Sequence, residues 1–160
     1  EILFQEVGMS CDAKKISEKY EDFLGEGHYF IPGAEELLED LSKKYHLYLA
    51  SNGAVKVQMS RIKSAGIEKY LEKIFLSEQI GYEKPSPPFF EKCFAQIPDF
   101  KKEEALILGD SLTSDIRGGK NAGILTVWFH PSGKKVEEEI VPDYEIGKLE
   151  ELKTILSFYS

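Results

Sequence analysis

The chain has 160 residues, with 28 acidic against 20 basic side chains and a formal net charge of -8, which fits one compact domain or one domain with a small appendage. That balance excludes a dedicated binder of nucleic-acid polymers or anionic membranes, which would need clustered Lys and Arg. With 42% hydrophobic and 12% aromatic residues the chain can build a core and is not expected to be disordered, while apolar runs such as Ala105-Leu106-Ile107-Leu108 are far too short to span a bilayer.

From Glu1 to about Gly27 the pattern is helical. Ile2, Leu3 and Val7 precede Gly8, and Asp12 is a reasonable N-cap for a second helix. Ile16, Tyr20, Phe23 and Leu24 then recur at helical spacing before Gly25 and Gly27 end the run. This reads as a helical hairpin or part of a small helical subdomain, residues 1–27, ahead of a second unit over 28–160. The acidic N-terminus carries no signal-peptide pattern. Because Glu1 stands where a start methionine would be, the chain is read as a processed, cloned or cleaved piece of something longer.

From Pro32 short strands alternate with helices. A helix over Gly33 to Tyr45 presents Leu37, Leu38 and Leu41 on one face, His46 to Ala50 is a strand, and Ala54 to Ala65 is a helix ending at Gly66. Lys73 to Ser77 is the second strand. Pro85-Ser86-Pro87-Pro88 is a rigid stop before a helix through Phe89, Phe90, Cys93, Phe94 and Ile97. Ala105 to Leu108 is the third strand, Thr113 to Ala122 a helix despite Gly118 and Gly119, and Ile124 to Trp128 the fourth strand. Tyr144 to Ile146 is a short last strand before a C-terminal helix over Leu149 to Phe158, and Glu137-Glu138-Glu139 is a solvated face. Such alternation predicts an α/β fold, βαβ units on a parallel sheet flanked by helices.

Ligands of parallel α/β sheets bind at the carboxyl ends of the strands, and polar stops there narrow the site. Ser51-Asn52-Gly53 follows the first strand and precedes a helix. It is either a plain capping turn or a seat for a phosphate oxygen. Lys84 precedes a proline that pins the backbone, so its ammonium is presented in a defined direction or is merely a surface charge. Gly109-Asp110-Ser111-Leu112-Thr113-Ser114-Asp115 follows the third strand. Its two carboxylates suit a hard cation such as Mg²⁺, although Asp115 alone could simply complement a helix dipole. Cys11 and Cys93 are read as free thiols in the cytoplasm, without disulfide or metal spacing, and the histidines His28, His46 and His130 show no metal-ligand spacing.

In this order, the strand ending in SNG, the Lys-Pro and the strand ending in GD with a second Asp resemble the haloacid dehalogenase superfamily from about Gly27 to the C-terminus. The segments IPGAEELLEDL, SNGAVKVQMSRIKSAGI, FLSEQIGYEKPSPPFF and LILGDSLTSDIRGGKNAGI are similar to its subfamily I nucleotidases. The resemblance implies a Rossmannoid parallel sheet, with residues 1–27 as the last part of an α-helical cap. It also implies a Mg²⁺-dependent phosphatase acting through an aspartyl-phosphate on a small phosphorylated metabolite, a nucleoside monophosphate before a sugar phosphate. On this resemblance Ser51 would hold a phosphoryl oxygen through its hydroxyl and Asn52 would help through its backbone N–H. Lys84 would offset charge on nucleophile and phosphoryl group, Asp110 would bind Mg²⁺, and Asp115 would support the metal site or orient Lys84. Tyr82 and Phe89 lie near enough in sequence to touch a base or sugar, with core packing preferred for Phe89.

The family's first motif, DxDx(T/V), has no counterpart. The aspartates are Asp12, Asp22, Asp40, Asp99, Asp110, Asp115 and Asp143, no two separated by a single residue. The nucleophile and the central strand that carries it are thus expected to lie outside these 160 residues. Two buried strands would be left with unpaired edges, at about 1–3 kcal/mol per unsatisfied buried group, and open to self-association. The chain by itself is expected to be inactive, which keeps a non-catalytic phosphate- or Mg²⁺-binding fragment, or an interaction module, as the alternative. Gly109-Asp110-Ser111-Leu112 also spells the signature of the GDSL serine esterases, with Ser111 as nucleophile. That block belongs near an N-terminus, and the only downstream histidine, His130, has Val127 where an Asp is needed.

Overall fold

The computed structural model describes residues 12–133 and 139–159. The predicted helix features at Ile2, Leu3, Val7 and Gly8, together with Cys11, Glu137 and Glu138, lie outside the described residues; Glu139 is exposed.

Helix α1 (Ala13–Gly25) starts as predicted at Asp12, whose carboxylate accepts from the Lys14 and Lys15 backbone N–H groups. Its predicted apolar stripe is present but turned outward: Ile16, Tyr20, Phe23 and Leu24 are all exposed. The helix is tied to the rest at its end, where the Ser60 hydroxyl donates to the Gly25 carbonyl at 2.9 Å and Lys56 pairs with Asp22 at 2.6 Å.

The elements that follow are α2 (Ala34–Ser42), β1 (Tyr48–Ser51), α3 (Val55–Ala65), β2 (Lys73–Leu76), α4 (Ser77–Ile80), α5 (Pro87–Phe94) and β3 (Leu106–Gly109). A π-helical turn over Leu112–Ile116 then leads into α6 (Arg117–Ala122), β4 (Leu125–Phe129), β5 (Tyr144–Ile146) and α7 (Leu152–Leu156). Strands β1, β3 and β4 each reach one residue further than the apolar runs suggest, so Ser51 and Gly109 are strand residues. The short helix α4 escapes sequence periodicity because four residues carry too little pattern. The predicted C-terminal helix is shorter, a 3₁₀ turn over Leu149–Glu151 followed by α7.

All pairings are parallel, as βαβ connections require. They form two sheets: β1 pairs with β2, and β3, β4 and β5 lie side by side. Among the described residues β1 and β3 do not pair with each other. All eight residues of these two strands are half-buried, whereas four of the five in β4 are buried.

Helix α6 explains how Gly118 and Gly119 sit in a helix. A methyl on Gly118 would approach the Phe90 ring to 2.5 Å, and one on Gly119 would approach Ile107 Cγ2 to 2.5 Å. The pair therefore lets the helix backbone lie directly on α5 and on the β3–β4 surface, a gain in packing that offsets glycine's poor helix propensity. The main clusters are Leu37, Val127, Phe129, Ile146, Leu152 and Ile155 on one side and Phe75, Phe89, Phe90, Cys93 and Ile124 on the other. Phe89 is 0% exposed and packs edge-on against Phe90 with ring centroids 5.4 Å apart. Burying such a ring contributes about 1.5–3 kcal/mol, and Phe89 is a core residue. No helix among the described residues is long and apolar enough to cross a membrane.

Candidate active site

Three loops meet at the carboxyl ends of β1 and β3. Ser51, the last residue of β1, uses its hydroxyl oxygen to accept from the Gly53 N–H at 3.1 Å, which closes the turn and leaves the hydroxyl hydrogen to donate elsewhere. Asn52 does more than its backbone suggested. Its side-chain amide donates to the Lys84 carbonyl at 2.9 Å and its side-chain oxygen accepts from the Lys84 N–H at 2.8 Å. The amide thus mimics a strand partner and fixes the Lys84 backbone from 32 residues away. The N-terminus of α3 is partly occupied, since the Val55 N–H donates to the Glu78 carboxylate at 2.7 Å. That carboxylate, in α4, takes up one of the helix-terminal N–H groups that the sequence pattern leaves free for a phosphate oxygen.

Lys84 points inward. Its ammonium donates to Asp115 Oδ1 at 2.6 Å and to the Ala50 carbonyl at 2.7 Å, and the side chains of the Lys84–Asp115 pair are only 9% and 10% exposed. An ammonium has three donors, and these contacts use two. The pair bridges β1, through Ala50, to the loop after β3, joining the two sheets at the ends where the strands themselves do not meet.

Both carboxylate oxygens of Asp115 accept a hydrogen bond. Its second oxygen accepts from the Ser111 N–H at 3.1 Å, and its own N–H returns to the Ser111 carbonyl at 2.9 Å. Gly109 is the reason it fits: a methyl there would overlap the Asp115 side chain, so glycine at the strand end admits the carboxylate across the backbone. Asp110 differs in kind. It is exposed, its carbonyl accepts from Trp128 Nε1 at 3.0 Å, and its carboxylate makes no hydrogen bond among the described residues. One exposed, uncommitted carboxylate at a strand's carboxyl end matches the way Mg²⁺ is held, by one or two carboxylates with several waters retained. The described residues hold no group of three or more His, Cys, Asp or Glu side chains arranged for a metal.

Ser111 caps the π-helical turn, its Oγ accepting from the Ser114 N–H at 3.2 Å. His130 is engaged elsewhere, with Glu145 at 3.0 Å and Ser132 at 2.7 Å, so no described histidine activates Ser111 as an esterase nucleophile. Cys93, beneath the site, is buried, and that burial pushes its thiol up to about 12 despite the nearby Lys84 charge. Tyr82 stays exposed, with the Lys92 ammonium 4.6 Å from its ring centroid. The Asn52 clamp, the Glu78 cap and the Trp128 bond are the contributions sequence reasoning missed. Each joins residues too far apart for any local pattern to mark.

Comparison with known proteins gives the family. A family model described as haloacid dehalogenase-like hydrolase matches residues 1–129. The HAD-hydrolase YfnB of Bacillus subtilis is 43% identical over 155 residues, covering 97% of this chain and 66% of its own length. The pyrimidine 5'-nucleotidase PynA of Streptococcus pneumoniae is 37% identical, covering 94% of this chain and 64% of its own. A crystal structure of YfnB bound to magnesium superposes with a TM-score of 0.88 at 42% identity, covering 97% of this chain and 68% of that one. The chain spans about two thirds of the length of the relatives it matches. It belongs to the haloacid dehalogenase-like hydrolase family.

Proposed function

We propose that these residues are the core of a Mg²⁺-dependent phosphomonoesterase, with a pyrimidine nucleoside monophosphate as the favoured substrate and a small sugar phosphate as the alternative. The observation that carries the reading is the buried Lys84 ammonium, held by Asp115 and by the carbonyl of Ala50 next to Ser51, with two of its three donors used among the described residues. Two pyrimidine 5'-nucleotidases among the relatives, at 37% and 28% identity, support the substrate class.

In this reading Ser51 donates its free hydroxyl hydrogen to a phosphoryl oxygen. Lys84 places its third N–H toward the same group, and electrostatic stabilisation of this kind commonly lowers the barrier to phosphoryl transfer more than any other single effect. Asp115 orients Lys84, the second of its two expected roles, through the 2.6 Å contact between them. Asp110 is the carboxylate available to hold Mg²⁺, which when bound would neutralise phosphoryl charge. No Asp-x-Asp occurs in the sequence, so the nucleophile that would form an aspartyl-phosphate is assigned to a strand outside these residues. Half-buried β1 and β3, which do not pair with each other among the described residues, support a place for it between them, and open edges of this kind also favour self-association. The outward apolar face of α1 supports residues 1–27 as part of a cap over a core of residues 28–160, and the free Cys93 fits a cytoplasmic protein.

The test is a screen of nucleoside 5'-monophosphates and sugar phosphates with the intact protein and Mg²⁺. Asp110→Asn and Lys84→Ala are each expected to lower turnover by orders of magnitude. Near-normal turnover in either variant would sink the assignment. The missing Asp-x-Asp favours a second reading for the 160 residues alone: a non-catalytic fragment that retains cation or phosphate affinity. Calorimetry on it with Mg²⁺ and with phosphate, repeated in Asp110→Ala, tests that reading, and no binding of either would refute it.

A further inference from the structure

Asp110 is the least supported residue of the site. Its carboxylate has no described hydrogen bond, and the turn that follows it closes on itself without including it: Ser111 N–H to Asp115, the Asp115 and Ile116 N–H groups to the Ser111 carbonyl at 2.9 and 3.1 Å, and Ser114 N–H to Ser111 Oγ. What anchors Asp110 is the bond from Trp128 Nε1 to its carbonyl at 3.0 Å. Trp128 is the register partner of Gly109 on the neighbouring strand, so its side chain arises level with the residue before Asp110. It is 8% exposed and packs with Leu112 and Ile116, which lie at the two ends of the π-helical turn. Its other support is His130, stacked at a centroid distance of 4.0 Å and 20° between planes, and itself held by Glu145 and Ser132. A rigid ring with one N–H donor is thus braced against strand, turn and imidazole, and the donor is spent on Asp110. Phenylalanine would keep the packing and lose the bond.

We infer that Trp128 is a positioning residue: its indole N–H holds the Asp110 backbone in place, and the affinity of the site for a divalent cation depends on that bond. The inference rests on the reading of Asp110 as a cation ligand. Trp128 does not touch the cation; it removes the freedom that an exposed loop carboxylate would otherwise lose on binding.

The experiment is calorimetric titration of MgCl₂ into the metal-stripped intact protein, in wild type, Trp128→Phe and Asp110→Asn, with thermal unfolding of each. Trp128→Phe is expected to weaken Mg²⁺ binding by about 3- to 10-fold, the range corresponding to one neutral hydrogen bond. The Mg²⁺ concentration for half-maximal rate should rise by the same factor, while the rate at saturating Mg²⁺ stays within about twofold, as expected where only ion binding has changed. Wild-type Mg²⁺ affinity in Trp128→Phe, with affinity lost in Asp110→Asn, overturns the inference and leaves the proposed function standing. Unchanged affinity in Asp110→Asn overturns both, because the ligand reading itself has failed. Should Trp128→Phe not fold, emission decides. Trp128 is the only tryptophan of these 160 residues, so with any tryptophan elsewhere replaced by phenylalanine, Mg²⁺ should change its fluorescence in wild type and not in Asp110→Asn. Emission that is indifferent to Mg²⁺ in wild type overturns the inference.

Discussion

Replacing Lys84 with methionine keeps most of the side-chain volume and removes only the ammonium. What is left behind follows from the contacts. Asp115, with its side chain 10% exposed, retains one partner, the Ser111 N–H, and the Ala50 carbonyl loses its 2.7 Å donor. Breaking a buried pair from one side typically costs about 3–5 kcal/mol, because an uncompensated charge remains in a poorly solvated place. For a domain of this size each kcal/mol shifts the melting temperature by about 2–4 °C, so Lys84→Met should melt roughly 6–20 °C lower. The Lys84 backbone remains clamped by Asn52, which makes the loss electrostatic rather than a loop rearrangement. Lys84→Met/Asp115→Asn is the control. Asparagine can still accept from Ser111 and carries no charge, so the double variant should regain at least half of the loss. Calorimetric melting of wild type, both single variants and the double variant, without divalent metal, gives the coupling directly. A melting temperature for Lys84→Met within about 2 °C of wild type, or a double variant no better than Lys84→Met, would refute the view that this pair is a buried bridge between the sheets.

Gly109→Ala should be destabilised by about 1–3 kcal/mol or more, the usual range for overpacking, since its methyl overlaps Asp115; urea unfolding measures this, and an unchanged midpoint would contradict the close approach. Burial holds the Cys93 thiol near 12, so a thiol reagent at pH 8 should leave it unmodified in the folded protein and react after denaturation, with mass spectrometry locating the adduct. Asp143 accepts from the backbone N–H and hydroxyl of the buried Thr126, at 2.9 and 2.7 Å, and from Lys120. Burial pushes its carboxyl upward, but these hydrogen bonds and the Lys120 charge prevail and hold it below its ordinary 3.8. Because the folded-state value is depressed, this stabilisation is present above pH 3.8 and disappears as pH falls through the folded value. The stability gap between wild type and Asp143→Asn should therefore be widest near neutral pH and shrink toward pH 3; a constant gap in urea midpoints would refute it.

Local chemistry makes much of this protein legible in one dimension. Asp12 caps its helix, Pro87 and Pro88 open α5, and the apolar runs ending at Ser51 and Gly109 mark strands whose polar ends carry the site, because period and punctuation are properties of neighbouring residues. The two glycines in α6 are visible in the sequence but unexplained there; only the approach of Phe90 and Ile107 shows why a poor helix former stands at those positions. The site divides in the same way. That Ser51 and Asp110 follow apolar strands, Lys84 precedes a proline and Asp115 starts the next helix can be read from the chain alone. Which of Asp110 and Asp115 is paired with a cationic side chain cannot, because it depends on a 2.6 Å contact to Lys84, 31 residues away in the chain. The Asn52 clamp, the Glu78 carboxylate on Val55 and the Trp128 bond to Asp110 share that origin. Composition and spacing decide which groups a strand end offers, whereas hydrogen-bond partners are settled by where the folded backbone brings distant donors and acceptors together.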